Sequence, residues 1–130
     1  MDALENDWAA GVLSGREPPC LSLYQPTHRH HPANQQDLLR FRNLVKELED
    51  SLERKYSRQQ IEPLLEPFAE LAASADFWNH TLDGLAMLVA PGFRRVYRLQ
   101  RPVPELAVVA DSFHTKPLIR ILQSADRYQI

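Results

Sequence analysis

The sequence predicts an α/β protein of the α+β type, a mainly antiparallel four-stranded sheet packed with helices. Three observations carry that expectation. Residues 85–90 and 105–110 run apolar on both faces, as strands inside a sheet do. Residues 93–99 alternate, with Phe93, Tyr97 and Leu99 on one face and Arg94, Val96 and Arg98 on the other. These late strands follow one another too closely for crossover helices, so right-handed βαβ units do not fit and antiparallel pairing remains.

Taken in order, residues 1–14 read as a short helix with Asp2 as its cap and Leu4, Trp8 and Val12 on one stripe. Gly15 and Pro18-Pro19 end it, so residues 1–19 are an N-terminal helix and linker ahead of a single domain over residues 20–126. Residues 20–25 alternate, with Leu21 and Leu23 on one face, and Pro26 closes that strand. Residues 27–33 (THRHHPA) form a polar, His-rich loop. Asn34 is the expected cap of a helix to about residue 55, with an apolar stripe of Leu38, Phe41, Val45, Leu48 and Leu52, widened by Leu44.

Ser57 followed by Gln60 is a capping-box pattern and starts another helix, with Ile61, Leu64, Leu65, Phe68 and Leu71 inward. Pro63 and Pro67 are expected to bend or interrupt it, since each removes a backbone donor. Gly84 ends a polar turn, and Pro91-Gly92 marks a hairpin connection. Pro102 and Pro104 separate the last strand, and Thr115 is the expected N-cap of a closing helix with Pro117 in its first turn. That helix is expected to end at Ala125-Asp126, with residues 127–130 (RYQI) starting a strand of a following domain. Hydrophobicity places residues 93–99 at one edge of the sheet and residues 20–25 at or near the other.

Composition narrows the function classes. The chain has 130 residues, 44% hydrophobic and 25% charged, the make-up of one globular domain. A formal net charge of −2 gives no general pull toward nucleic acid or anionic lipid. The single cysteine, Cys20, excludes an internal disulfide and suits a reducing compartment. No apolar run approaches the ~18 residues of a membrane span, and the acidic N-terminus is unlike a secretory leader, so the cytoplasm is the expected location. No Walker loop, dinucleotide fingerprint, HExxH or serine elbow occurs, and no cofactor is expected.

Three groups of residues bear chemistry. His28, His30 and His31 crowd one loop; imidazole suits zinc, but no cysteine or acidic partner lies close, so a solvated contact loop is the better reading than a metal site. His80, Asp83 and His114 flank strands and form an acid–base set only if the fold brings them within hydrogen-bond reach. Arg94, Arg95, Arg98 and Arg101 place four cations within eight residues. Arg94 and Arg98 share a face, either as a phosphate-binding strip or as charge that blocks edge-to-edge pairing. Cys20 reads as a small buried hydrophobe, and Trp8 and Trp78 as core or lid residues.

The strings CLSLYQPTHR, NQQDLLRFRNLVKELEDSL and DGLAMLVAPGFRRVYRLQRPVPELAVVADSFHTKPLIRIL, in that order and spacing, resemble a known family. It is the N-terminal domain of bacterial proteins related to archaeo-eukaryotic class-one peptide release factors, most similar to the group called bacterial archaeo-eukaryotic release factor family three. The string DSFHTKPL at residues 111–118 carries most of the likeness. The resemblance implies a four-stranded sheet with helices, and a longer parent whose middle and C-terminal domains follow Ile130. In the eukaryotic factor this domain reads stop codons through an Asn-Ile-Lys-Ser loop and a Tyr-x-Cys-x-x-x-Phe motif. Here the first falls at Asn34-Gln35-Gln36-Asp37 and keeps only the Asn. The second falls at Ala107, Val109 and Phe113 and keeps only the Phe. The Gly-Gly-Gln hydrolysis loop of the relatives belongs to the middle domain.

The resemblance therefore implies a non-catalytic recognition domain, facing the ribosome or RNA in translation termination or ribosome rescue, with the full-length parent as the binding unit. Its expected contact residues are His28, Arg29, His30, His31, Asn34, Gln35, Gln36 and Asp37, joined by Arg94 and Arg98. A protein-interaction or homodimerisation domain without an RNA role is the alternative, and a hydrolase built on His80, Asp83 and His114 ranks behind both.

Overall fold

The structure is a computed structural model and describes residues 3–128. Four strands form one antiparallel sheet: β1 (Cys20–Pro26), β2 (Gly84–Ala90), β3 (Phe93–Leu99) and β4 (Leu106–Ala110), in the order β3-β2-β1-β4. The hairpin joins Ala90 to Phe93 across Pro91-Gly92, where Gly92 takes φ +68°. Proline before a left-handed glycine is the chemistry of a tight turn.

One edge agrees with the sequence and the other is refined. β3 is at an edge, as its charges indicated, whereas β1 lies one strand in and β4 takes the outer place. Residues 21–25 are buried on both faces. The face of β1 that looks polar is used inside the protein: the Ser22 hydroxyl accepts from the His114 amide at 2.9 Å, and the Tyr24 hydroxyl donates to the His114 carbonyl. Hydroxyl groups that find partners are buried at little cost, so polarity there did not mean solvent. Burial also pushes the Tyr24 phenol well above its ordinary pKa.

Two apolar layers enclose the sheet. On one face, α2 (Asp37–Glu53), α3 (Arg58–Ala72) and α4 (Ala75–Asn79) cover Leu21, Leu23, Leu85, Met87 and Val89. On α2 the buried stripe is Phe41, Leu44, Leu48 and Leu52, with Leu38 and Val45 at its margin. A 3-10 turn over Ala33–Gln36 precedes α2, so Asn34 lies in that turn and not at the cap. On α3 the Ser57 amide donates to Gln60 Oε1 at 3.0 Å, completing the capping box. Ser74 caps α4 by accepting from the Phe77 amide, and the Trp78 indole donates to the Leu71 carbonyl at 2.9 Å.

Pro63 and Pro67 do not interrupt α3, which is one continuous helix. Each still leaves the carbonyl four residues earlier, on Gln59 and Pro63, without its i+4 amide, at a cost of up to about 3 kcal/mol per interior proline. Burial of Ile61, Leu64 and Phe68 offsets that cost.

On the other face, Tyr24, Leu88, Phe93, Tyr97 and Leu99 meet Leu13, Val103, Phe113 and Leu118. The N-terminal helix is shorter than expected: α1 spans Leu4–Ala9, and its predicted cap, Asp2, lies outside the described residues. α1 is tied to β3 through Asp7, which accepts from Tyr97 Oη at 2.7 Å and from Arg95 Nε at 3.1 Å. The closing helix α5 runs over Lys116–Tyr128, with the Thr115 carbonyl accepting from the Leu118 and Ile119 amides. Arg127 and Tyr128 are thus helical where a strand was expected, while Gln129 and Ile130 lie outside the described residues. Among the described residues no helix is long and apolar enough to cross a membrane.

Gly84 shows how tightly the sheet end is packed. A Cβ there would stand 2.6 Å from the Arg101 carbonyl oxygen, a contact with backbone that no rotamer change relieves. Gly84→Ala is expected to cost about 1–3 kcal/mol of stability by urea unfolding, the usual penalty for overpacking. A variant as stable as the parent would show that residues 101–103 are not held against β2.

Candidate recognition site

β1 delivers the chain at Pro26 into the loop of residues 27–36, which returns as the first turn of α2. Asp37, the first residue of that helix, is 1% exposed, and its carboxylate points back into the loop. Oδ2 accepts from the His28 amide at 2.9 Å, and Oδ1 lies 2.8 Å from His28 Nδ1. A carboxylate only accepts, so the ring proton sits on Nδ1 and Nε2 is directed away from Asp37. The Asp37 carbonyl in turn accepts from the Gln25 amide side chain at 3.0 Å. One buried residue therefore joins the end of β1, the loop and α2.

The opposite wall of the loop comes from the turn before β2. The Thr27 amide donates to the Asp83 carbonyl at 3.1 Å, and the Thr27 hydroxyl to the Leu82 carbonyl at 2.8 Å. The Thr81 hydroxyl donates to the His28 carbonyl at 2.5 Å. Arg29 grips Asp83 in a two-pronged ion pair, Nε to Oδ1 at 2.9 Å and Nη2 to Oδ2 at 3.2 Å. The pairing holds the Asp83 carboxyl below the usual carboxylate range, and leaves Nη1 outside the fork.

With its base fixed in this way, the loop carries its polar side chains outward. His30, His31, Gln35 and Gln36 are exposed, Asn34 is half-buried, and the His28 side chain is 42% exposed. Gln35 Nε2 stands 3.5 Å from His31 Nε2, at the limit of a hydrogen bond. Of the eight loop residues expected to make contacts, seven share this surface. Asp37 is the exception: its carboxylate is buried, so it positions the loop from beneath.

Arg94 and Arg98 are not part of the same patch. Arg94 stands opposite Val89 near the hairpin turn, at the far end of the sheet, and is paired with Glu70 on α3. Arg98 is half-buried, with its guanidinium 5.1 Å from the centre of the Phe77 ring. One cation is neutralised and the other lies over an aromatic ring, so the pair does not form a bare basic strip.

The set His80, Asp83 and His114 is dispersed. Asp83 is taken by Arg29, and His80 Nδ1 lies 2.8 Å from the Asp76 carbonyl. His114 belongs to the other face, beside Ser22 and Tyr24. His28 pairs with Asp37, and His80 Nδ1 also lies 3.4 Å from Asp76 Oδ1 at the exposed end of α4. Among the described residues, no three His, Cys, Asp or Glu side chains gather as a metal-holding group. Cys20 is buried, and burial raises its thiol pKa further, which disfavours the reactive thiolate. No protein-family model matches the sequence, and comparison with curated proteins returns no match.

Asp37, Thr81 and Asp83 were the residues whose roles the sequence hid. Asp37 had a readable signal, an acid in the first turn of a helix directly after a His-rich loop. Thr81 and Asp83 reach the loop from more than fifty positions away, with separations of 53 and 54 residues.

Proposed function

We propose that this chain is a non-catalytic recognition domain of a release-factor-like protein, presenting the loop of residues 27–36 to ribosomal or other single-stranded RNA in termination or rescue, in the cytoplasm. The observation that carries the reading is the buried Asp37 carboxylate, which fixes the loop so that several imidazole and amide side chains face outward together. Imidazole rings stack on bases, and amide groups hydrogen-bond base edges, without the broad positive field that this chain lacks. Pre-ordering the loop lowers the entropy lost on binding.

The test is co-sedimentation of the protein with ribosomes across a salt series, for the parent sequence and two double variants. His30→Ala with His31→Ala is expected to weaken association about tenfold or more, the scale of losing one stacked base. Arg94→Ala with Arg98→Ala is expected to change it less than twofold. Absence of ribosome association at low salt would sink the proposal.

A dimerisation role is the second reading, and β4 favours it. This edge strand, LAVVA, carries no charge along its length, and its first four residues are half-buried. Uncharged apolar edges are prone to pair with another strand. The reading predicts a dimer in sedimentation velocity that Val108→Lys dissociates.

A further inference from the structure

At the end of the sheet opposite the loop lies a groove of about 660 Å³, between α3, residues 17–19 and the β2–β3 turn. Its walls are mainly proline: Pro63, Pro67 and Pro91 beside Tyr56, with Pro18-Pro19 closing one side. Its lining carries Glu17, Glu66 and Glu70 against one cation, Arg94, while Arg16 and Arg95 lie over the Phe93 ring and Arg95 is paired with Asp7. Glu70 already engages Arg94, and among the described residues neither Glu17 nor Glu66 has an ion-pair partner. We infer that this groove docks an extended, proline-containing, cationic peptide segment of another protein.

The two prolines of α3 make the case. Pro63 is exposed and Pro67 half-buried, and neither belongs to the core cluster that holds the helix. Their rings therefore weaken α3 without packing the interior. Being four residues apart, they share one helix face, and both line the groove. Each also removes the i+4 amide donor of the carbonyl four residues earlier. A row of rigid rings suits a ligand in the polyproline II conformation, which is already extended and loses little entropy on docking.

Charge decides between kinds of partner. The carboxylates of Glu17 and Glu66 favour Lys or Arg flanking the prolines and repel phosphate, so RNA is disfavoured at this end. The inference stands apart from the loop proposal: it concerns the other end of the sheet and a different class of partner, and either can fail alone.

The experiment is fluorescence anisotropy of the 130-residue protein with three labelled synthetic peptides. The first has a proline-rich centre flanked by arginines, the second replaces the arginines with glutamates, and the third replaces the prolines with glycines. Only the first is expected to bind well, with the other two at least tenfold weaker. Glu17→Lys with Glu66→Lys is expected to weaken it tenfold or more. Pro63→Ala with Pro67→Ala is the decisive variant, because alanine is the better helix former: it should resist urea better than the parent yet bind at least fivefold more weakly. Equal binding of the arginine and glutamate peptides, undiminished binding by the proline variant, or no binding of the first peptide would each overturn the inference.

Discussion

Asp37→Ala is expected to lower the unfolding free energy by about 3 kcal/mol and to disorder the loop of residues 27–36. The carboxylate is 1% exposed and takes both the amide and the ring of His28, at 2.9 and 2.8 Å. Removing it takes away the acceptor of the part-buried His28 amide and empties a buried polar site, and losing the partner of a buried donor costs about 1–3 kcal/mol, more where charge is involved. The ring of His28 also loses the partner that fixes its orientation. Urea unfolding gives the stability change, and hydrogen exchange at the amides of residues 28–36 reports loop order. Ribosome association should fall with the loop order even at temperatures where the rest of the chain is folded. A loss below about 0.5 kcal/mol, with exchange unchanged, would show that the loop is held by Thr27, Thr81 and Arg29 instead.

Phe41→Ala is expected to cost about 3–5 kcal/mol, the range for emptying an aromatic site in a tightly packed core. Phe41 is fully buried on α2, with its ring 5.1 Å from that of Trp78 and 6.2 Å from that of Phe68. It is the point where α2, α3 and α4 meet over the sheet, so a cavity there loosens all three helices at once. The two variants separate by what survives. Phe41→Ala lowers the midpoint of the whole unfolding transition, and where the variant is folded the loop keeps its Asp37 anchor and should still bind. Asp37→Ala damages binding first. If Phe41→Ala were nearly neutral, the three-helix layer would not be the main support of the sheet.

Local patterns were legible and long-range uses were not. Ser57 with Gln60, Pro91 with Gly92, and the 3,4-spaced stripe of α2 all depend on neighbours within a few residues, so their outcome is written where they stand. The order of the sheet depended on what happens to Ser22 and Tyr24. They are the alternate positions to Leu21 and Leu23, and the hydrogen bond from the His114 amide reaches Ser22 across 92 positions. Pro63 and Pro67 read as bends or interruptions, and the helix is not interrupted, because local rules count the lost donor and not the core packing that outweighs it. The candidate loop was visible as a cluster of histidines and amides, yet the element that orders it is one acid at the start of the next helix. Arg94 and Arg98 looked alike on an alternating strand, and Glu70 and Phe77 give them different surroundings.

The place of β1 in the sheet also sets an order of assembly. Its register pairs Leu21 with Val89 on one side and Cys20 with Ala110 on the other, so β1 is flanked only by strands that follow it. Helices α2 to α4 and the β2–β3 hairpin need only local contacts and can form as the chain emerges. β1 must wait, with both edges bare, until about seventy further residues exist for one side and about ninety for the other. Such non-local closure is slow relative to helix and hairpin formation. During that interval the segment Leu21-Ser22-Leu23-Tyr24 is an open β-edge, exposed to pairing with other chains.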